Sequence, residues 1–164
     1  MYTHITRAAH RRPQVRPSAI TGDPWLWATA GGEALPGDKP STTPYGKWLW
    51  FLPVRALDAG WRLVENAVHE DKLGPIAKVA TLGNPFDGDP TRRPVIVFTE
   101  DCNDEEDIRR VLVALRDLGV SDALAYKTDE ATRLGEYGGR VSTYTSPAGT
   151  TKLVCRTPRY AAPA

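Results

Sequence analysis

The stretch Tyr45-Gly-Lys-Trp-Leu-Trp-Phe-Leu52 is apolar on both surfaces that an extended chain presents, because side chains alternate: Trp48 and Trp50 share one face, Leu49 and Phe51 the other. Such a strand either lies in a sheet covered on both sides or turns one aromatic face toward a ligand that stacks on it. Immediately after it, Leu57, Trp61, Val64 and Val68 recur at helical spacing and predict a helix over residues 56–70, stopped by Gly74-Pro75. Residues 77–82 read as a short strand, 83–91 as a loop, and Pro94-Val-Ile-Val-Phe98 as a buried strand. A second helix follows. Asn103 is placed to cap it with Glu106 as capping-box partner, Ile108, Val111, Leu112, Leu115 and Leu118 form its stripe, and Gly119 ends it. Further strands are expected at 124–127, 140–145 and 151–156.

Two helices with one apolar stripe each, set among short strands, predict an α+β fold: a curved, mostly antiparallel sheet backed by two main helices on one face. The other face is then free to bind. Residues 1–44 lack a sustained period and mix Pro, Gly, Ser, Thr and Arg, the composition of a basic, disordered tail. The island Asp23-Pro-Trp-Leu-Trp27 interrupts it. Tryptophans are costly to leave in water, so residues 23–27 are expected to dock on the domain at 45–160, as an edge strand or as a lid.

Composition narrows the function. A chain of 164 residues with net charge +1 fits one domain with a tail and has no global pull toward nucleic acid or membrane. No apolar run is long enough to span a bilayer. Cys102 and Cys155 have no spacing suited to zinc or redox chemistry and read as reduced thiols of a cytoplasmic protein. Six acids between Glu100 and Asp107 are explained by a helix start, where negative charge is stabilised. His69 sits near the end of the first helix with no visible partner. No cofactor or metal is expected, and nothing fixes the oligomeric state.

The segments Gly46-Lys-Trp-Leu, Arg62 through Lys78-Val-Ala-Thr, Asp104-Glu-Glu-Asp-Ile-Arg109 and Tyr126-Lys-Thr-Asp-Glu-Ala-Thr-Arg133 resemble the shared core of the basophilic-leukemia-expressed protein family. That family is similar in fold to the cap-binding translation initiation factor 4E. The resemblance covers residues 45–145 and implies the same α+β fold. Cap recognition in that factor uses two aromatic walls, a carboxylate and phosphate-binding cations. Here the link from Phe51 into the first helix is only Leu52-Pro-Val-Arg-Ala, so the loop bearing one aromatic wall has no counterpart, and Phe86-Asp87 stands near the second.

Three functions are therefore expected as alternatives. The first is a noncatalytic binding module for a phosphorylated nucleotide or RNA end, with Trp48, Trp50, Trp25, Trp27 and Phe86 for stacking and Arg92, Arg93, Lys127, Arg133 and Arg140 for phosphates. The second, implied by faint similarity of some relatives, is a phosphothreonine-lyase-like enzyme whose base is Lys47, Lys78 or Lys127. The third is a scaffold that binds protein partners on the helices.

Overall fold

A computed structural model of the chain describes residues 14–32, 45–85, 88–129 and 142–156. Seven strands form one antiparallel sheet in the order β1 (Trp25–Thr29), β3 (Ile76–Ala80), β4 (Arg92–Thr99), β2 (Gly46–Pro53), β5 (Leu124–Thr128), β6 (Tyr144–Ser146), β7 (Val154–Cys155). Helix α1 (Val54–His69) runs directly out of β2, and α2 (Glu105–Asp117) follows β4. The order along the chain from β2 onward is the one the hydrophobic pattern predicts.

Both helices cover the same face. Trp48 and Trp50 of β2, Val95 and Val97 of β4, Ala77 and Val79 of β3 and Tyr126 of β5 are buried there with Leu57, Trp61, Val64 and Val68 of α1 and Ile108, Val111, Leu112 and Leu115 of α2. Strand parity then sends Lys47, Leu49 and Phe51 to the opposite side. Central strand β2 pairs with β4 along its whole length, from Gly46↔Thr99 to Pro53↔Arg92, and with β5 from Gly46↔Thr128 to Leu49↔Ala125.

The ends of α2 differ in detail from the sequence expectation. Asp104, not Asn103, is the cap, its carboxylate accepting from the Asp107 amide at 3.1 Å. A carboxylate there also favours the positive end of the helix. At the other end Gly119 adopts φ +96°, and the amides of Gly119 and Val120 donate to the carbonyls of Arg116 and Leu115. That is the double hydrogen bond of a Schellman stop, which a glycine makes without steric cost. Arg116 fastens this corner to the last strands by donating to the carbonyls of Val120, Asp122, Pro147 and Thr150 and to Ser146 Oγ.

The sheet also takes in part of the segment upstream of residue 45. Trp25–Thr29 is the edge strand, paired with β3 from Trp25↔Ala80 to Thr29↔Ile76. Ahead of it a 3-10 turn at Pro17–Ala19 lies on α1, where the Ser18 amide and hydroxyl donate to the Asp58 carboxylate at 2.9 and 2.6 Å. Burying the island's apolar surface and completing a strand ladder offsets an ordering entropy that composition alone suggests it cannot meet.

Gly46 is fixed by close approach. A β-carbon at this position would fall on the Tyr126 hydroxyl, itself hydrogen-bonded to Thr99 at 2.6 Å and fully buried. Replacing Gly46 with alanine is expected to cost about 1–3 kcal/mol through overpacking. Urea unfolding of Gly46→Ala measures this, and a loss below about 0.5 kcal/mol would contradict the packing described.

Candidate functional site

The face turned away from the helices gathers aromatic rings and lysines from adjacent strands. Register places Trp27 of β1 beside Lys78 of β3, Lys78 beside Ile96 of β4, Phe98 of β4 beside Lys47 of β2, and Lys47 beside Lys127 of β5. Lys78 Nζ lies 4.0 Å from the ring centroid of Trp25, 4.9 Å from that of Trp27 and 5.9 Å from that of Phe98. Lys47 Nζ lies 5.5 Å from the centroid of the same Phe98 ring. Two ammonium groups thus share one aromatic ring, with Trp27 stacked against it at 6.4 Å between centroids.

Their charges are not balanced alike. Lys47 is buried and its ammonium pairs with Asp129 at 2.7 Å. The contacts of Lys78 among the described residues are with the three rings. Loss of water around Lys78 and, next, the positive charge of Lys47 pull its pKa from the ordinary 10.5 down to about 8, against a weaker opposing pull from Asp129. Cation–π attraction favours the charged form, but a second cation so close makes that form expensive.

Several residues expected at the site lie elsewhere. Trp48 is 1% exposed, its indole donating to the Ile108 carbonyl at 3.1 Å and meeting Tyr126 edge to face. Trp50 is also buried and donates to the Asp122 carboxylate at 2.7 Å. Both belong to the core beneath the helices and present no surface for stacking. Arg92 donates to the Phe51 carbonyl, and Arg93 to the carbonyls of Thr81, Pro90 and Arg92. These two guanidiniums tie down the loop that starts β4. They stand five or six residues from Phe98, roughly 17–20 Å along the strand, so they do not converge with Lys127.

Phe86, Arg133 and Arg140 lie outside the described residues. Trp25, Trp27 and Lys127 are on the face opposite α1 and α2, as are the candidate bases Lys47 and Lys78. Phe98 and Asp129 were not singled out from the sequence, although Phe98 ends an apolar run and Asp129 follows the Tyr126-Lys-Thr motif. Parity was the available signal: Phe98 is out of phase with the core residues Val95 and Val97. His69, the one histidine among the described residues, ends α1 on the helical layer, so no histidine acid faces Lys47, Lys78 or Lys127 there. The acids at the start of α2 form no group able to hold a metal among the described residues, and no helix among them is long and apolar enough to cross a membrane.

Lys78 gives stability a pH dependence of known sign. Unfolded, it titrates near 10.5; folded, near 8, so between these values the unfolded chain holds the extra proton and raising pH favours the fold. Buried Tyr126, whose pKa burial pushes up, acts the opposite way above pH 10. The difference between wild type and Lys78→Met isolates the lysine: the stability advantage of the variant should shrink as pH rises from 7.5 to 10 in urea unfolding. Parallel curves would contradict a depressed Lys78.

The same architecture recurs in solved structures. Schistosome translation initiation factor 4E, in a complex with m7GpppA and 4E-BP, superposes with a TM-score of 0.59 at 18% identity over 80% of this chain and 75% of that one. The Caenorhabditis elegans factor eIF4E-3, in a complex with the 4E-binding protein Mextli and a cap analog, gives 0.47 at 20% identity over 65% and 70%. At 18% identity the likeness to the schistosome factor is one of fold. No curated protein sequence matches the chain. The family model of the basophilic leukemia-expressed protein Bles03 matches residues 41–135, which run from just before β2 past β5 and so include both shared-ring lysines and Phe98, and the chain belongs to that family.

Proposed function

We propose that this chain is a noncatalytic binding module whose sheet face opposite α1 and α2 receives a phosphorylated nucleotide or RNA end. The observation that carries the reading is the pair of ammonium groups, Lys47 and Lys78, over one Phe98 ring, with Lys47 held by the Asp129 carboxylate. A phosphate at that point relieves the repulsion between them and forms charge-assisted hydrogen bonds in a partly dry setting. Trp27, 41% exposed, and half-buried Trp25 supply planar surface for a base. Stacking of this kind contributes about 1–3 kcal/mol per base and tolerates any sequence.

Likeness of fold to a factor complexed with m7GpppA supports a ligand on this architecture. The stacking residues here are those of the edge strand rather than the indoles of β2. The lyase alternative is less well supported, since no histidine shares the face among the described residues. For a partner on the helices the support is Leu63 of α1 and Val113 of α2, exposed singly, as apolar residues of any surface are.

Titrating mono- and triphosphate nucleotides, capped and uncapped, while following tryptophan fluorescence tests the reading. Quenching is expected, with Lys78→Met weakening affinity by about 1.5–3 kcal/mol, the worth of hydrogen bonds to a charged group. Arg92→Ala should bind as wild type. Absence of quenching at millimolar concentration of every nucleotide, or equal loss in both variants, would overturn it.

A further inference from the structure

Lys78 differs from Lys47, Lys72 and Lys152 in its surroundings. Lys47 is paired with Asp129, Lys72 with Glu70, and Lys152 is exposed to water. Lys78 instead points its amine among Trp25, Trp27 and Phe98, within 4.0 to 5.9 Å of each ring, on a face that leaves it half-exposed. Three rings exclude water around the nitrogen without offering it an acceptor. The neighbouring cation Lys47 makes a proton on Lys78 still less welcome, and the lowered pKa, to about 8, is the expression of that arrangement. A neutral amine carries a lone pair, and a lysine whose proton is loosened by desolvation and a second cation holds a larger neutral, nucleophilic fraction near neutral pH than an ordinary lysine does.

We propose that Lys78 is a carbonyl-reactive amine that condenses with an aldehyde or ketone borne by an anionic ligand, forming an imine inside the Trp25, Trp27 and Phe98 cradle. The Nζ lone pair adds to the carbonyl carbon, and the carbonyl oxygen takes up a proton as nitrogen releases one, giving a carbinolamine. Nitrogen then loses its second hydrogen as the carbon–oxygen bond breaks, so that one imine and one water replace one amine and one carbonyl. No oxidant or reductant takes part. When protonated, the imine is again a cation over the rings, which hold it as they hold ammonium. Lys47 is positioned for the ligand's phosphate or carboxylate, and this half of the inference rests on the binding reading above.

Pyridoxal 5′-phosphate and phosphate-free pyridoxal serve as probes on the full chain, each followed by borohydride reduction and peptide mapping across pH 6.5 to 10. The expected result is a dominant adduct on Lys78, formed on the order of tenfold faster than on Lys72 or Lys152 at neutral pH, with a rate midpoint near pH 8. Lys78→Arg, which retains the cation over the rings, should lose that adduct while keeping the wild-type circular dichroism and melting curve. Adducts spread evenly over Lys72, Lys78 and Lys152, or a Lys78 rate rising only near the ordinary lysine range, would overturn the proposal. Faster labelling by the phosphate-bearing probe, suppressed by inorganic phosphate, supports the anion half. Equal labelling of Lys78 by both probes, unaffected by phosphate, supports the reactive amine and overturns the anion half alone.

Discussion

Strand β2 is held on both sides at once, by β4 along its full length and by β5 over its first half, and this double pairing decides which way every one of its side chains points. A shift of one residue would exchange the two faces. In the observed register the indoles of Trp48 and Trp50 enter the core, where Ile108 and Asp122 accept their N–H groups, and Lys47 lies on the face opposite α1 and α2. Gly46, beneath the Tyr126 hydroxyl, locks the register at the start of the strand. The chemistry of the other face follows from that lock, because Lys47 reaches the Phe98 ring only when it lies opposite Phe98.

The resulting face combines two properties that work against each other when it is empty. Aromatic rings from β1 and β4 dry the surface, and lysines from β2, β3 and β5 put positive charge on it. Asp129 offsets one charge at 2.7 Å. Between Lys47 and Lys78 the repulsion falls if Lys78 gives up its proton or, in the function proposed, if an anion binds beside them. Both proposals, an anion site and a reactive amine, grow from the crowding of Lys47 and Lys78 over the Phe98 ring.

Much of the fold was legible in the sequence because it is written in periodicity. The stripes Leu57–Val68 and Ile108–Leu115 set both helices, and the run ending at Phe98 set the inner strand. The site was legible only in part. Trp25 and Trp27 stood out as aromatics without a core of their own. Trp48 and Trp50 form an equally aromatic pair, yet which side of a two-faced strand the helices take is decided by packing across the whole sheet, and local alternation cannot choose. Arg92 and Arg93 lie just before a buried strand, near where the resemblance to the initiation factor implies phosphate-binding cations, but position in the sequence does not say where their guanidiniums bond. Lys47 and Lys78 are 31 positions apart and meet only through the strand order β3-β4-β2.

The most direct measurement is the titration of the lysine ε-carbon resonances by NMR, with and without inorganic phosphate. Lys78 should titrate near pH 8 in the free protein and move upward when phosphate is added, because an anion restores the value of its proton. A Lys78 resonance that titrates near the ordinary 10.5 and ignores phosphate would contradict the shared-ring cation pair as an anion site.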